Sequence, residues 1–201
     1  MSPTHLTLLL LLLSLSTISS SSASTRTQRS PTDFIKSSCL ATTYPSLCYQ
    51  SLSTYASTIQ QNPKQLAQTA LSVSLSRARS ASSSISHMLR SNPPMRPRES
   101  QALKDCVETM GDSVDRLAKS INELSRLGGR VGGQSFLWHM SNVQTWVSAA
   151  LTDDSTCVDG FAGHALDGRV KAQIRSRVLN VAQVTSNALA LVNRFAAKYQ
   201  P

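Results

Sequence analysis

Along the second half of the chain, apolar positions fall into stripes of helical period. Leu103, Val107, Met110, Val114, Leu117, Ile121 and Leu124 are separated by alternating steps of four and three. That spacing keeps one side of a helix apolar and turns it toward a bundle core. Pro97 suits the first turn of this helix, and Gly128-Gly129 ends it. Phe136, Met140, Val143, Val147, Ala150 and Leu151 form the next stripe, which continues through Val158 and Phe161 with Gly160 and Gly163 at its fraying end. A last stripe runs Val170, Ile174, Val178, Val181, Val184, Ala188, Val192 and Phe195, set off by Gly168. Ahead of these, Pro63 to Arg90 carries Leu66, Ala70, Val73, Ala81, Ile85 and Met88 at looser spacing in a Ser- and Ala-rich helix closed by Asn92-Pro93-Pro94. Four such helices on short connections predict an all-α, up-down-up-down four-helix bundle.

Residues 33–61 are shorter in pattern. Tyr44-Pro45 splits them into two amphipathic pieces, a helical hairpin expected across the bundle end, so that 33–61 and 63–198 make one domain. The amino end reads differently. Leu6 to Leu15 is broken only by Thr7 and Ser14, and Ser19 to Ser24 is small and polar. An apolar run of that length falls short of the roughly 20 residues a bilayer needs. Followed by small residues, it reads as a secretory signal over 1–24, with 25–32 as linker. No later run is apolar enough to span, so the exported protein is expected to leave the membrane once the signal is cleaved.

Composition narrows the function classes. Hydrophobic residues are 40% and charged residues 15% of the 201, too apolar for a disordered tail. Lys+Arg 20 against Asp+Glu 11 gives a net charge of +9, which draws polyanions. Aromatics at 5% argue against a stacking platform for single-stranded nucleic acid, and no nucleic-acid partner is expected. The sequence has no G-x-S-x-G, HExxH, Walker or dinucleotide motif. Gly128 to Gly133 lacks the preceding strand a phosphate cradle needs and reads as a helix-to-helix turn. His139 and Trp146, seven residues apart on one helix, read as packing residues. The expectation is a binding module with no catalytic residue and no cofactor.

Four cysteines in an exported chain suggest two disulfides. Cys106 lies about as far before the Gly128–Gly133 turn as Cys157 lies after it, so equal rise sets the two side by side on antiparallel helices. Cys39 and Cys48 then pair locally around Tyr44-Pro45. The competing reading is four free thiols or a metal site. His5, His87, His139 and His164 are scattered and no CxxC occurs, which argues against metal.

One polar pattern stands out on this basic chain. Asp105, Glu108, Asp112 and Asp115 follow at steps of three, four and three, lining one helical face about 100° from the neighbouring core residues. Thr156 and Asp159 sit across the expected Cys106–Cys157 bridge. Composition alone reads this as a solvated face, with carboxylates favourably near a helix amino end.

The string Asn142-Val-Gln-Thr-Trp-Val-Ser-Ala-Ala-Leu-Thr-Asp-Asp-Ser-Thr-Cys157-Val-Asp-Gly-Phe161 resembles the third bundle helix of the plant invertase/pectin methylesterase inhibitor family. Cys39–x8–Cys48 resembles that family's amino-terminal hairpin, and Leu103-Lys104-Asp105-Cys106 its second bundle helix; the likeness spans nearly all of 33–198. It implies a four-helix bundle with an amino-terminal hairpin, the bridges Cys39–Cys48 and Cys106–Cys157, and no enzymatic activity. It implies secretion to the apoplast or cell wall and a one-to-one complex that covers the substrate cleft of pectin methylesterase. The contact positions it carries over are Glu108, Asp112, Asp115, Thr156 and Asp159. The alternative target is acid invertase, whose inhibitors use a Pro-Lys-Phe contact in the loop that here reads Leu127 to Phe136 without it. A family member's frequent extra unpaired cysteine is also missing. A different class is a structural protein gripping acidic pectin through Arg169, Lys171, Arg175 and Arg177 with Arg96 and Arg98. An amino-terminal propeptide of a larger esterase is not expected in a chain ending at Pro201.

Overall fold

Proline opens four of the helices, where its missing N–H costs no hydrogen bond. They are α1 (Pro31–Cys39), α2 (Pro45–Leu52), α4 (Pro63–Arg90) and α5 (Pro97–Arg126). A 3₁₀ turn over Ser53–Tyr55 and the short α3 (Ala56–Ile59) join α2 to α4, and α6 (Gln134–Asp159) and α7 (Arg169–Ala197) complete the chain. Caps agree with the prolines. Ser30 Oγ accepts from Asp33 N–H at 3.1 Å, Asn62 Oδ1 from Lys64 and Gln65 N–H, and Glu99 Oε2 from Arg96 N–H at 3.0 Å. This computed structural model describes residues 30–91, 95–127, 133–162 and 168–199. The expected signal over 1–24, most of the 25–32 linker, Asn92-Pro93-Pro94, Gly128 to Gly132, and residues 163–167 with Gly163 and His164 lie outside them.

The long helices α4 to α7 form the up-down-up-down bundle. Each packs on its chain neighbours, and α4 closes the ring on α7. Contacts between α5 and α6 run in opposite order along the two helices: Cys106 meets Cys157, Ser113 meets Asp154, Arg116 meets Asp153, and Glu123 meets His139. At the bundle end, Lys64 Nζ donates to the carbonyl of Leu127, and Phe136, Phe195 and Tyr199 stack edge to face with centroids 5.3–5.8 Å apart.

The core stripe of α5 is rotated from the purely apolar one. Leu103, Met110, Leu117 and Leu124 are fully buried, each contributing roughly 2 kcal/mol by leaving water. Between them, however, Cys106, Ser113 and Ser120 are buried, while Val107, Val114 and Ile121 are only half-buried at the flank. Small side chains let neighbouring helices approach, and the hydroxyls are satisfied, Ser120 by Leu117 O at 2.8 Å and Ser113 by Asp154. On α6 the register is Ala150, Asp154, Cys157; Asp154 holds the core position and Leu151 is half-buried.

The hairpin does more than cross the bundle end. From its contact with Asn187 it runs up the α4–α7 seam to Ser51, whose Oγ accepts from Arg77 Nη2 at 2.8 Å near mid-helix. The buried Asn187 side chain accepts from Tyr44 N–H at 2.9 Å and donates to Tyr44 O at 3.0 Å, satisfying both sides of the backbone between the hairpin's helices.

Candidate functional site

The α5–α6 seam is stapled and then polar along its length. Cys106 and Cys157 are bonded with Cα atoms 4.4 Å apart; Cys39–Cys48 is the other bridge, and no cysteine is free. Two turns along from Cys106, Ser113 Oγ donates to Asp154 Oδ1 at 2.7 Å in the bundle centre. Burial pushes the Asp154 carboxyl up to about 7; the hydrogen bond from Ser113 offsets part of that, and the neighbouring Asp153 charge adds to it. Asp153 is also pushed up by burial, against the pull of Arg116, whose Nε stands 2.9 Å from its Oδ2. Farther along, buried Glu123 takes hydrogen bonds from His139 at 2.8 Å and Asn142 at 3.1 Å. The His139 bond is the main reason its carboxyl titrates below the ordinary range. His139 is thereby a packing and pairing residue, and Trp146 is half-buried.

All five candidate contact residues are exposed. Glu108, Asp112 and Asp115 come together on a surface groove of about 500 Å³ between α4 and α5, faced by Arg79, Ser82 and Ser83. Asp112 also reaches the other flank of its helix, 3.8 Å from Arg116 Nη2. Arg116 thus sits between the α5 carboxylates and Asp153 of α6. Thr156 and Asp159 are outside this groove, on the exposed side of the last turns of α6, and the Thr156 hydroxyl donates to Thr152 O at 2.9 Å. Asp105 is held within its own helix by Gln101 Nε2 at 2.8 Å.

Trp138 escaped the sequence reading. It is 66% exposed on α6, and its eighteen-residue offset from Thr156 is five full turns, so both project from the same side of the helix. An unpaired apolar side chain at that spacing, off the core stripe, was the available signal. Arg116, Asp153 and Asp154 were missed because an ion pair and a buried acid have no periodicity of their own. Among the described residues no group of His, Cys, Asp and Glu could hold a metal ion, and no helix is long and apolar enough to cross a membrane.

The profile of the plant invertase/pectin methylesterase inhibitor family matches residues 33–191. The chain belongs to that family. Pectinesterase inhibitor 9 of Arabidopsis thaliana is 56% identical over 172 residues, covering 85% of this chain and 84% of that protein. Pectinesterase inhibitor 11 of the same plant is 50% identical over 173 residues, 86% and 85% of the two chains. A crystal structure of a mutant form of a pectin methylesterase inhibitor from Arabidopsis superposes with a TM-score of 0.62 at 21% identity, over 77% of this chain and 92% of that one. It shares the all-α fold described above. The family is one of inhibitors, not enzymes.

Proposed function

We propose that this family member is a secreted inhibitor of pectin methylesterase, acting in the apoplast and cell wall to restrain pectin demethylation. The observation that carries the choice of target is the 56% identity to a pectinesterase inhibitor over most of both chains. In this reading the inhibitor binds its enzyme one-to-one and covers the substrate cleft with the exposed sides of α5 and α6. Glu108, Asp112, Asp115, Thr156 and Asp159 make the polar contacts, and Trp138 is the apolar anchor. An enzyme that handles galacturonate polymers needs a polar or basic cleft, and carboxylates on a rigid rod answer it by charge. The Cys106–Cys157 staple and the Arg116–Asp153 pair fix the two helices before binding, which lowers the ordering cost of association.

Titrating purified, oxidised protein into pectin methylesterase at mildly acidic pH tests this. Activity should fall linearly to a break at one equivalent. Undiminished demethylation at excess protein, with acid invertase inhibited instead, would overturn the target.

A further inference from the structure

The charges of the bundle are divided between two pairs of helices. Helix α4 carries Lys64, Arg77, Arg79 and Arg90 and no carboxylate; α7 carries five Lys/Arg and no carboxylate. Helices α5 and α6 hold nine of the chain's eleven carboxylates. Because α4 packs on α5 and α7, and α6 on the same two, the α4–α7 seam lies opposite the α5–α6 seam. The hairpin reaches this basic seam at Ser51, which accepts from Arg77.

Just beyond, a groove of about 370 Å³ is lined by Arg77, Ser80, Ser176, Arg177 and Asn180. Arg77 is half-buried and aimed from both sides, donating to Asn180 Oδ1 at 2.7 Å and to Ser51 Oγ at 2.8 Å. Both acceptors are neutral. Neither Arg77 nor the exposed Arg177 has a carboxylate within ion-pair distance among the described residues. The bonds to Asn180 and Ser51 use two of the five N–H donors of Arg77, and a guanidinium held in place is suited to a carboxylate, which it can take bidentately.

We infer that the α4–α7 groove is a binding site for a carboxylated polysaccharide, a polyuronate chain. Two guanidiniums in one groove, on helices that carry no acid to interrupt the positive sign, suit a ladder of regularly spaced carboxylates. Ser80, Ser176 and Asn180 supply neutral partners for sugar hydroxyls, and the groove has no aromatic side chain on which a nucleobase would stack. The choice of a uronate among polyanions rests on the pectinesterase reading, since demethylation turns a neutral ester into this anion. Enzyme and polymer would occupy different faces, so the inhibitor could stay where the product of its target accumulates.

The test is equilibrium binding of the full mature protein to de-esterified polygalacturonate and to the fully methyl-esterified polymer of equal length, without enzyme. The de-esterified chain should bind, weaken as salt screens the contacts, and lose at least tenfold in affinity with Arg177→Glu. Arg77 braces the hairpin, so Ser176→Glu, at an exposed position, is the second variant and should lose affinity similarly. Equal binding of the esterified polymer, affinity unmoved by both variants, or tighter binding of a DNA duplex would overturn the site. Pectinesterase inhibition by both variants should stay at the wild-type level. Failed inhibition with polymer binding intact would sink the inhibitor reading alone.

Discussion

Ser113 of α5 donates its hydroxyl to the Asp154 carboxyl of α6 at 2.7 Å, and both side chains are wholly buried. A carboxyl placed there is held at about 7, chiefly by burial. An unfolded Asp titrates near 3.9. Below about pH 4 the proton is bound in both states and the site exacts no ionisation penalty. Between about pH 4 and 7 the unfolded chain has released that proton and the bundle keeps it, so stability falls as pH rises. The loss reaches at most about 4 kcal/mol and levels off above pH 7. Thermal melting across pH 4 to 8 should show this descent, and Asp154→Asn, which keeps a partner for Ser113, should flatten it. Glu123, whose carboxyl is held low, acts with the opposite sign and below this window.

Asn187 predicts how the hairpin is docked. Asn187→Ala leaves the Tyr44 N–H without its partner, while the Tyr44 C=O keeps the Cys48 N–H, and should cost about 2 kcal/mol. Cys39–Cys48 still closes the hairpin on itself. The expected outcome is a lower melting temperature with faster proteolysis near Tyr44, both measurable on the oxidised protein.

The two bridges should differ in weight. Cys106–Cys157 spans a separation of 51 residues and Cys39–Cys48 one of 9. Chain entropy assigns them about 4 and about 2.5 kcal/mol. Denaturant melts of Cys106→Ser/Cys157→Ser and of Cys39→Ser/Cys48→Ser should rank in that order, with the first also loosening the face proposed to meet the enzyme.

Trp138 separates a binding role from a structural one. At 66% exposure it contributes little to the core, so Trp138→Ala should leave the melting temperature within about 1 °C. If it anchors the complex, inhibition should weaken by roughly tenfold or more in a Ki measurement.

How far the sequence foretold this molecule differs from element to element. The bundle, the four long helices and the Cys106–Cys157 pairing were legible because periodicity and equal rise follow directly from helix geometry. The rotation of α5 was not. Counting apolar residues selects Val107, Val114 and Ile121, whereas Cys106, Ser113 and Ser120 win the interior because they are small and their polar atoms find partners. For the same reason a stripe of hydrophobic residues passes from Ala150 to Leu151, while the bundle passes to Asp154. The acidic face was visible as spacing, but its division was not. Glu108, Asp112 and Asp115 share a groove with Arg79, and Thr156 and Asp159 stand on the next helix, because helix rotation is set by packing partners remote in the chain.

Paired measurements on the Asp112→Lys/Asp115→Lys variant test the central claim most directly: inhibition of pectin methylesterase and thermal melting on the same preparation. The account predicts inhibition weakened at least tenfold with the melting temperature unchanged, since both carboxylates are exposed. Full inhibition with a lowered melting temperature would contradict it and make the acidic face a support of the bundle alone.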